Sequence, residues 1–242
     1  IIHELIYNDR VIGGVDKAST EKAIAFYAKY IKGKLHATNA RTAEMCKLVE
    51  NSSRDNQIAF ANELSMICDK IDINVWELIE LANKHPRVNI LQPACGVGGH
   101  CIAVDPYFII ADFPSESKII AKAREVNSFK PEWCIEKIKN AELKFELANN
   151  TKPKIAVLGL AFKPNIDDLR QSPALYIANK IYKNSKHCMI VEPNITEHPL
   201  FVLDDLENAL KLCDIVVLLV KHDEFKSLVF NKNQIIIDFC GI

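Results

Sequence analysis

The sequence of 242 residues lacks features that mark several protein classes. Neither sign of charge dominates, since 30 Lys and Arg residues stand against 31 Asp and Glu residues, which argues against a general role on nucleic acid or on a membrane surface. No apolar run approaches the length of about 20 residues that a membrane helix needs. We expect no signal peptide, because the first residues carry charge and lack an initiator Met. We expect a chain that begins in this way to be cut from a longer one.

The eight cysteines contain no C-x-x-C pair. Most of them fall within apolar helical or strand patterns, which indicates free thiols rather than a disulfide framework. Free thiols suit a reducing compartment, so we expect the protein to be cytoplasmic.

The stretch from Ala40 to about Ile71 contains no Pro or Gly. Its apolar residues recur at helical spacing, which predicts one long helix. A helix of this length needs partners on more than one side, so we expect it to form the interface of a homodimer or a higher homo-oligomer. Helical pattern returns from Ser117 to about Leu147, with a predicted boundary or kink at Lys130–Pro131.

The composition changes at residues 148–153, where A-N-N-T-K-P precedes a buried apolar run. Beyond this point strands alternate with helices, which predicts a small parallel sheet covered on both faces. The fold class is therefore α+β to α/β, with a helical central dimerisation domain followed by a Rossmann-like parallel α/β domain. The predicted domains are 1–15, 16–150 and 151–242.

The segment from Gly96 to Asp105 combines glycines, a thiol and a carboxylate. Gly98 and Gly99 let backbone N–H groups approach a bound group, and Cys101 follows them directly. If the chain after Cys101 is helical, Asp105 lies one turn further on the same face, where it can orient the thiol or its base. The alternative is that the glycines only make a turn and that Cys101 is a small buried residue.

Lys47 and Asn51 lie at i and i+4 of the predicted long helix and project from one face. An ammonium group and an amide aimed at one point can stabilise an oxyanion. Their alternative interpretation is an ordinary solvated surface pair. We assign Arg54 to an ion pair at the subunit interface.

Neither glycine-containing turn meets the G-x-G-x-x-G pattern of a dinucleotide-binding loop. The segment after the strand at Lys154–Gly159, G-L-A-F-K-P-N-I-D-D-L-R, still lies where an open parallel sheet binds ligands. Lys163 and Arg170 there are candidate groups for phosphate or another anion, or else charged loop residues that face water.

A metal site built from Cys95, His100 and Cys101 lacks the second ligand pair that zinc sites show, so we expect none. His222 has no partner at a recognisable spacing, and we expect it to be an ordinary surface or core residue.

Several long motifs occur together and in order along the whole chain. They are N-D-R-V-I-G-G at Asn8, R-T-A-E-M-C-K-L-V-E-N at Arg41, A-F-A-N-E-L-S at Ala59, N-V-W-E-L-I at Asn74, H-P-R-V-N-I-L-Q-P at His85, G-V-G-G-H-C-I-A-V-D-P at Gly96 and G-L-A-F-K-P-N-I-D-D-L-R at Gly159. With these motifs the chain resembles the UDP-glucose/GDP-mannose dehydrogenase family.

The resemblance implies an enzyme that oxidises the C6 alcohol of a UDP-sugar to a carboxylate with NAD, in two steps, for surface polysaccharide synthesis. Cys101 would capture the aldehyde as a thiohemiacetal and carry the later thioester. Lys47 and Asn51 would stabilise the oxyanion, and Asp105 would assist the thiol or the water.

The resemblance also implies the contacts of the sugar nucleotide and of NAD. Arg87 would reach the sugar bound by the neighbouring subunit. The substrate would otherwise be held by Gly98, Gly99, Phe162 and Lys163, and Arg170 would approach NAD.

The family begins with an NAD-binding domain, and we expect this chain to start after it, with residues 1–15 as the last part of that domain. We therefore expect this polypeptide alone to be inactive. Whole-chain likeness favours an N-acetylmannosamine substrate, while UDP-N-acetylglucosamine and UDP-glucose stay open. A dimerising UDP-sugar-binding module without chemistry of its own also stays open.

Overall fold

The structure is a computed structural model that describes residues 2–185 and 187–242. The chain divides into two compact units, residues 1–53 and residues 54–242, and the division falls within one long helix. The predicted domain boundaries at 15/16 and 150/151 do not coincide with this division. They remain predictions.

The first unit pairs two short strands in parallel. Its elements are α1 (Ile2–Tyr7), β1 (Arg10–Gly14), α2 (Lys17–Tyr27), β2 (Leu35–Asn39) and the beginning of α3 (Ala40–Lys70). Strand β1 pairs with β2 along its length, with Arg10 opposite Leu35. Asp16 caps α2, because its carboxylate accepts the Ser19 N–H at 2.7 Å.

Helix α3 confirms the predicted long helix. The side-chain oxygen of Asn39 accepts the Thr42 N–H at 2.9 Å, and this contact satisfies one of the free donors of the first turn. The absence of Pro and Gly after this cap lets the helix continue to Lys70.

Helix α6 (Lys118–Asn149) runs through Pro131 without interruption, so the predicted boundary at Lys130–Pro131 is wrong. A proline inside a helix costs about 3 kcal/mol, because one backbone hydrogen bond is lost. Tertiary packing compensates here. Pro131 is buried, and Gly96 lies so close that an added Cβ would be 3.0 Å from Pro131 Cγ. The adjacent Lys130 is also buried, and its amine donates to Ser65 Oγ at 2.6 Å.

Two short helices flank the segment that contains the glycines. They are α4 (Val75–Ala82), which Asn74 caps, and α5 (Asp105–Asp112). Helix α5 begins at Asp105, so the chain directly after Cys101 does not meet the condition under which the sequence would place Cys101 and Asp105 on one helical face. The Asp105 N–H donates to the Cys101 carbonyl at 2.8 Å, which places the cysteine one turn before the helix.

The remaining strands form one parallel sheet in the order β4-β3-β5-β6. They are β3 (Ile155–Leu158), β4 (Cys188–Val191), β5 (Ile215–Leu218) and β6 (Ile235–Asp238), with α7 (Pro173–Asn184) and α8 (Leu206–Leu212) between them. Alternate residues of β3 enter two different hydrophobic clusters: Ile155 joins α7, and Ala156 joins α8. The sheet is therefore covered on both faces, and the predicted Rossmann-like domain is confirmed.

Candidate active site

The segment 94–102 runs without regular secondary structure beside the carboxyl end of the sheet. This segment and residues 161–164, which follow β3, line one cavity of about 550 Å³. Four predicted substrate residues and the predicted nucleophile line this cavity together: Gly98, Gly99, Phe162, Lys163 and Cys101. The two motifs that are far apart in the chain thus meet at one site.

The glycines are needed because Phe162 lies directly against them. A Cβ on Gly98 would come within 2.8 Å of Phe162 Cβ and 2.6 Å of the Gln171 carbonyl oxygen. Gly99 has φ of +82°, a region that favours glycine, and its added Cβ would lie 3.0 Å from the Phe162 ring. The segment can therefore approach Phe162 only with glycine at these positions.

Two thiols with different surroundings border the cavity. Cys101 is a free, half-buried thiol that lines the cavity. Cys95 also borders the cavity but is only 3% exposed, and its thiol donates to the Leu219 carbonyl at 3.6 Å. Burial raises the pKa of Cys95 to about 12, so it stays a neutral thiol near pH 7. Of the two, Cys101 is the accessible thiol.

The sequence analysis missed two basic groups of the cavity. Arg54 lines it, a position that the predicted ion pair at the subunit interface does not indicate. Lys221 lines it as well and donates to the Gly241 carbonyl. Lys221 follows β5, the neighbour of β3, so the rule that parallel strands present ligands at their carboxyl ends could have found it. No sequence signal distinguishes Arg54 from other helical arginines.

Arg170 does not line the cavity. Its guanidinium group forms a fork with the Asp168 carboxylate, with Nε at 2.9 Å and Nη2 at 2.6 Å from its oxygens. The hydrogen bonds from Arg170 lower the pKa of Asp168 to about 2, and those to Asp168 raise the pKa of Arg170. The predicted contact of Arg170 with NAD remains a prediction.

Arg87 is exposed and lies outside the cavity, in the turn that follows α4. This turn is fixed from both sides, since the Asn83 side chain donates to the Ile90 carbonyl and accepts the Ile90 N–H at 2.7 Å. An exposed arginine on a fixed turn is compatible with a contact to another subunit, which stays a prediction.

Lys47 and Asn51 lie one helical turn apart on α3, as predicted, with Lys47 exposed and Asn51 half-buried. Both belong to the unit of residues 1–53, whereas Cys101 belongs to the other unit. Their predicted action on an oxyanion at Cys101 remains a prediction, and so does that of the half-buried Asp105.

A larger cavity, of about 700 Å³, lies along β6 and is lined by Trp76, Trp133 and Lys130 among others. None of the predicted site residues lines it. The smaller cavity is therefore the candidate active site. Within residues 2–185 and 187–242, no three His, Cys, Asp or Glu side chains come together in a way that could hold a metal ion.

Comparison with known proteins identifies the two halves of this site. Residues 41–129 match the central domain of the UDP-glucose/GDP-mannose dehydrogenase family, and residues 156–242 match its UDP binding domain. The chain belongs to this family. The glycine segment with Cys101 thus comes from the central domain, and Phe162 and Lys163 come from the UDP-binding domain. The predicted family membership is confirmed.

Two curated relatives are similar over the whole chain. The UDP-N-acetyl-D-mannosamine dehydrogenase of Campylobacter jejuni is 53% identical over 99% of this chain and 59% of its own length. The enzyme of the same name from Escherichia coli K12 is 51% identical over 100% of this chain and 60% of its own length. The chain therefore spans about 60% of the length of these relatives.

Two solved structures have the same fold. The UDP-N-acetyl-mannosamine dehydrogenase of Staphylococcus aureus superposes with a TM-score of 0.84 at 38% identity, over 99% of this chain and 61% of the other. The corresponding enzyme of Pyrococcus horikoshii gives a TM-score of 0.85 at 39% identity, over 99% and 57%. None of the described helices of this family member is both long and apolar enough to cross a membrane.

Proposed function

We propose that the whole protein is an NAD-dependent UDP-N-acetyl-D-mannosamine 6-dehydrogenase of the cytoplasm that supplies a uronic acid for surface polysaccharide. The observation that carries this proposal is the accessible Cys101 thiol in a cavity whose opposite wall belongs to the UDP-binding domain. The names of relatives that are about 50% identical support the choice of sugar.

The proposed chemistry converts a C6 alcohol to a carboxylate without releasing the aldehyde. The alcohol first loses a hydride and a proton. The Cys101 sulfur then adds to the aldehyde carbon, and a proton goes to the carbonyl oxygen, which gives a thiohemiacetal. Loss of a second hydride and of the hydroxyl proton gives a thioester. Water attacks the thioester, the carbon–sulfur bond breaks, and the thiol and the carboxylate are formed.

The chain's own side chains would support these steps. Lys47 and Asn51 would donate hydrogen bonds to the oxygen that becomes negative during addition and hydrolysis. Asp105 would take a proton from the thiol or from the attacking water. Lys163 would pair with phosphate, and the glycine segment and Phe162 would hold the nucleotide sugar.

NAD+, when bound, accepts the two hydrides. The residues described here do not fit an NAD site on their own sheet. The two amides after Gly159 are already bound to the Glu192 carboxylate, at 2.6 Å from Leu160 and 3.1 Å from Ala161. They therefore cannot hold a pyrophosphate in the way that a dinucleotide loop does. Arg170 is the only NAD contact that we propose for this chain.

The proposed assembly is a homodimer, or a higher homo-oligomer, formed through α3. Several large apolar side chains of this helix are exposed, among them Val49, Phe60 and Ile67. Positions 49, 60 and 67 lie on one face of a helix, and monomers rarely expose large contiguous apolar patches, so these side chains support an interface. Arg87 would then reach the sugar bound by the neighbouring subunit.

The lack of fit for NAD favours a second candidate function, a UDP-sugar-binding module without chemistry of its own. Calorimetry on the 242-residue chain, with UDP-N-acetyl-D-mannosamine and with NAD+ in separate titrations, distinguishes the two. Binding of the sugar nucleotide without binding of NAD+ supports the module as the description of this polypeptide.

The enzyme proposal is tested with the complete protein and a panel of UDP-sugars. We expect UDP-N-acetyl-D-mannosamine to give the highest kcat/KM and to reduce two NAD+ per sugar oxidised. A higher kcat/KM for UDP-N-acetylglucosamine or UDP-glucose would move the assignment to that sugar. No NAD+ reduction with any of them would refute the enzyme.

A further inference from the structure

A buried polar pair lies behind the cavity wall that Phe162 and Lys163 form. Glu192 directly follows β4 and is 4% exposed, and His222 lies beyond the end of β5 and is fully buried. His222 Nε2 is 3.1 Å from Glu192 Oε2. No local pattern indicates this pair, because the two residues follow different strands that only the sheet brings together.

Glu192 holds the beginning of the segment 160–165 by hydrogen bonds. Its Oε2 accepts the Leu160 N–H at 2.6 Å and the Ala161 N–H at 3.1 Å. Its Oε1 accepts the N–H and the side-chain amide of Asn194. Burial acts to raise the pKa of Glu192, but the hydrogen bonds from His222, Leu160 and Asn194 outweigh it and lower the pKa to about 2. Glu192 is therefore an anion that is fully occupied by donors.

His222 holds the other end of the segment by a hydrogen bond. The Asn165 N–H donates to His222 Nδ1 at 3.0 Å. A backbone N–H can only donate, so Nδ1 is the acceptor and the ring proton lies on Nε2, where it faces Glu192. Asn165 has φ of +59°, and its side chain both donates to Asp223 Oδ2 and accepts the Asp223 N–H.

We propose that Glu192 and His222 are positioning residues that fix both ends of the segment 160–165 and so aim Phe162 and Lys163 into the Cys101 cavity. This inference rests on the proposed function, because it assigns a role in binding the nucleotide sugar. Residues 161–164 line the cavity between the two fixed ends, and the Phe162 ring lies against Gly99. Movement of the segment would therefore change the shape of the site.

A merely structural role would not need this pair. Burying a carboxylate is costly, and a well-packed apolar pair of similar volume is often as stable. The polar atoms of the pair form hydrogen bonds with the segment 160–165 and with Asn194. The polar groups thus specify the position of a loop rather than fill a core.

The first test is Glu192→Gln in the complete protein. Gln keeps one acceptor oxygen and turns an NH₂ group towards the other set of N–H donors, so either Leu160, Ala161 and His222 or Asn194 lose their acceptor. We expect the Kd for UDP-N-acetyl-D-mannosamine to rise at least tenfold. We also expect faster hydrogen exchange at the amides that lose their acceptor, Leu160 and Ala161 or Asn194, while iodoacetamide alkylates Cys101 at the wild-type rate.

Two substitutions at His222 separate its contacts and protect the test against a variant that does not fold. His222→Asn keeps an acceptor near the Nδ1 position for the Asn165 N–H, whereas His222→Gln keeps a donor near the Nε2 position for Glu192. We expect His222→Gln to weaken binding at least fivefold and to expose the Asn165 amide to exchange. We expect His222→Asn to weaken binding less than His222→Gln and to leave the Asn165 amide protected, because it keeps the acceptor for that N–H.

Asp204→Asn is the matched control. Asp204 Oδ2 accepts the Ile190 N–H of β4 at 2.9 Å, a carboxylate-to-backbone bond without a contact to the segment 160–165. We expect this variant to lose stability and to keep the wild-type Kd. Wild-type binding in Glu192→Gln and His222→Gln, or equal weakening in Asp204→Asn, would overturn the positioning role. Failure of the wild-type protein itself to bind the sugar nucleotide would instead refute the proposed function and the inference with it.

Discussion

At the scale of single residues, the site depends on two positions that carry no side chain. Gly98 and Gly99 leave room for Phe162, whereas the sequence predicted only that these glycines let the backbone approach a bound group closely. It did not predict that Arg54 and Lys221 line the same cavity. The position of Lys221 after β5 could have indicated it, whereas the position of Arg54 depends on helix packing that no local pattern encodes.

Gly98→Ala tests the cradle. The added Cβ would lie 2.6 Å from the Gln171 carbonyl oxygen and 2.7 Å from Pro173 Cδ, so the segment must move. We expect the free energy of unfolding to fall by about 1–3 kcal/mol, measured by urea denaturation, and the affinity for the UDP-sugar to fall at least tenfold. The neighbouring Val97→Ala adds no atoms and should bind within a few-fold of the wild type. Wild-type affinity in Gly98→Ala would show that the contact with Phe162 is not needed.

At the scale of elements, buried polar contacts join α3, α6 and the glycine segment. Arg124 Nη1 on α6 is 2.6 Å from Asp55 Oδ1 on α3, and both are nearly inaccessible to solvent. Asn127 donates to the same carboxylate at 2.8 Å, and Asn62 links Asn127 to the Ala94 N–H. The length of α3 could be predicted from its missing Pro and Gly, whereas its pairing with α6 could not.

Arg124→Met should therefore be costly. Burial raises the pKa of Asp55 even against the attraction of Arg124, so the carboxylate depends on its partner. We expect a loss of about 3–5 kcal/mol in the free energy of unfolding, because one buried group is left without its counterion. The double variant Asp55→Leu/Arg124→Met should recover part of this loss.

Lys122→Met on the same helix is the control, since Lys122 forms only an exposed pair with Glu125. Exposed pairs contribute about 0–1 kcal/mol, so the change should be small. Equal losses in Arg124→Met and Lys122→Met would contradict the proposed importance of the buried pair.

The sequence analysis also erred at this scale. Pro131 predicted a helix boundary or kink, and the boundary is wrong because burial against Gly96 outweighs the lost hydrogen bond. The chain directly after Cys101 does not meet the condition of being helical, since the helix begins only at Asp105. At Pro131 tertiary contacts decided what local propensity left open.

At the scale of the whole molecule, buried thiols make stability depend on alkaline pH. Burial raises the pKa of Cys95 and Cys188 to about 12 and that of Cys213 to about 11, and it also raises the pKa values of Cys134 and Cys240. In the unfolded chain thiols ionise near pH 8.5, so above that pH the folded state binds more protons. Their contribution is complete below about pH 8.5 and is lost as the pH rises towards 12.

The buried amine of Lys130 changes the stability with pH in the opposite direction. Burial lowers its pKa to about 8, so between about pH 8 and the unfolded value near 10.4 the folded state binds fewer protons than the unfolded state. Because of this difference the free energy of unfolding rises with pH in this range, and the rise offsets the fall that one buried thiol causes.

We expect the net free energy of unfolding to fall between pH 9 and pH 10, by up to about 1.4 kcal/mol per pH unit for each thiol that Lys130 does not offset. Cys134→Ala should reduce the slope by about one thiol's share in urea titrations under reducing conditions. Ile138→Val, a buried substitution on the same helix without a titrating group, should keep the wild-type slope. Equal slopes in the two variants would contradict the role of the thiols.

The rate of uronic acid formation by Cys101→Ser in the complete protein, with saturating UDP-N-acetyl-D-mannosamine and NAD+, tests the central claim most directly. The serine hydroxyl is a much weaker nucleophile than a thiolate, so the thioester route is closed. We predict a loss of at least a thousandfold in acid formation, with binding of the sugar nucleotide kept within a few-fold. Acid formation at the wild-type rate would contradict covalent catalysis by Cys101.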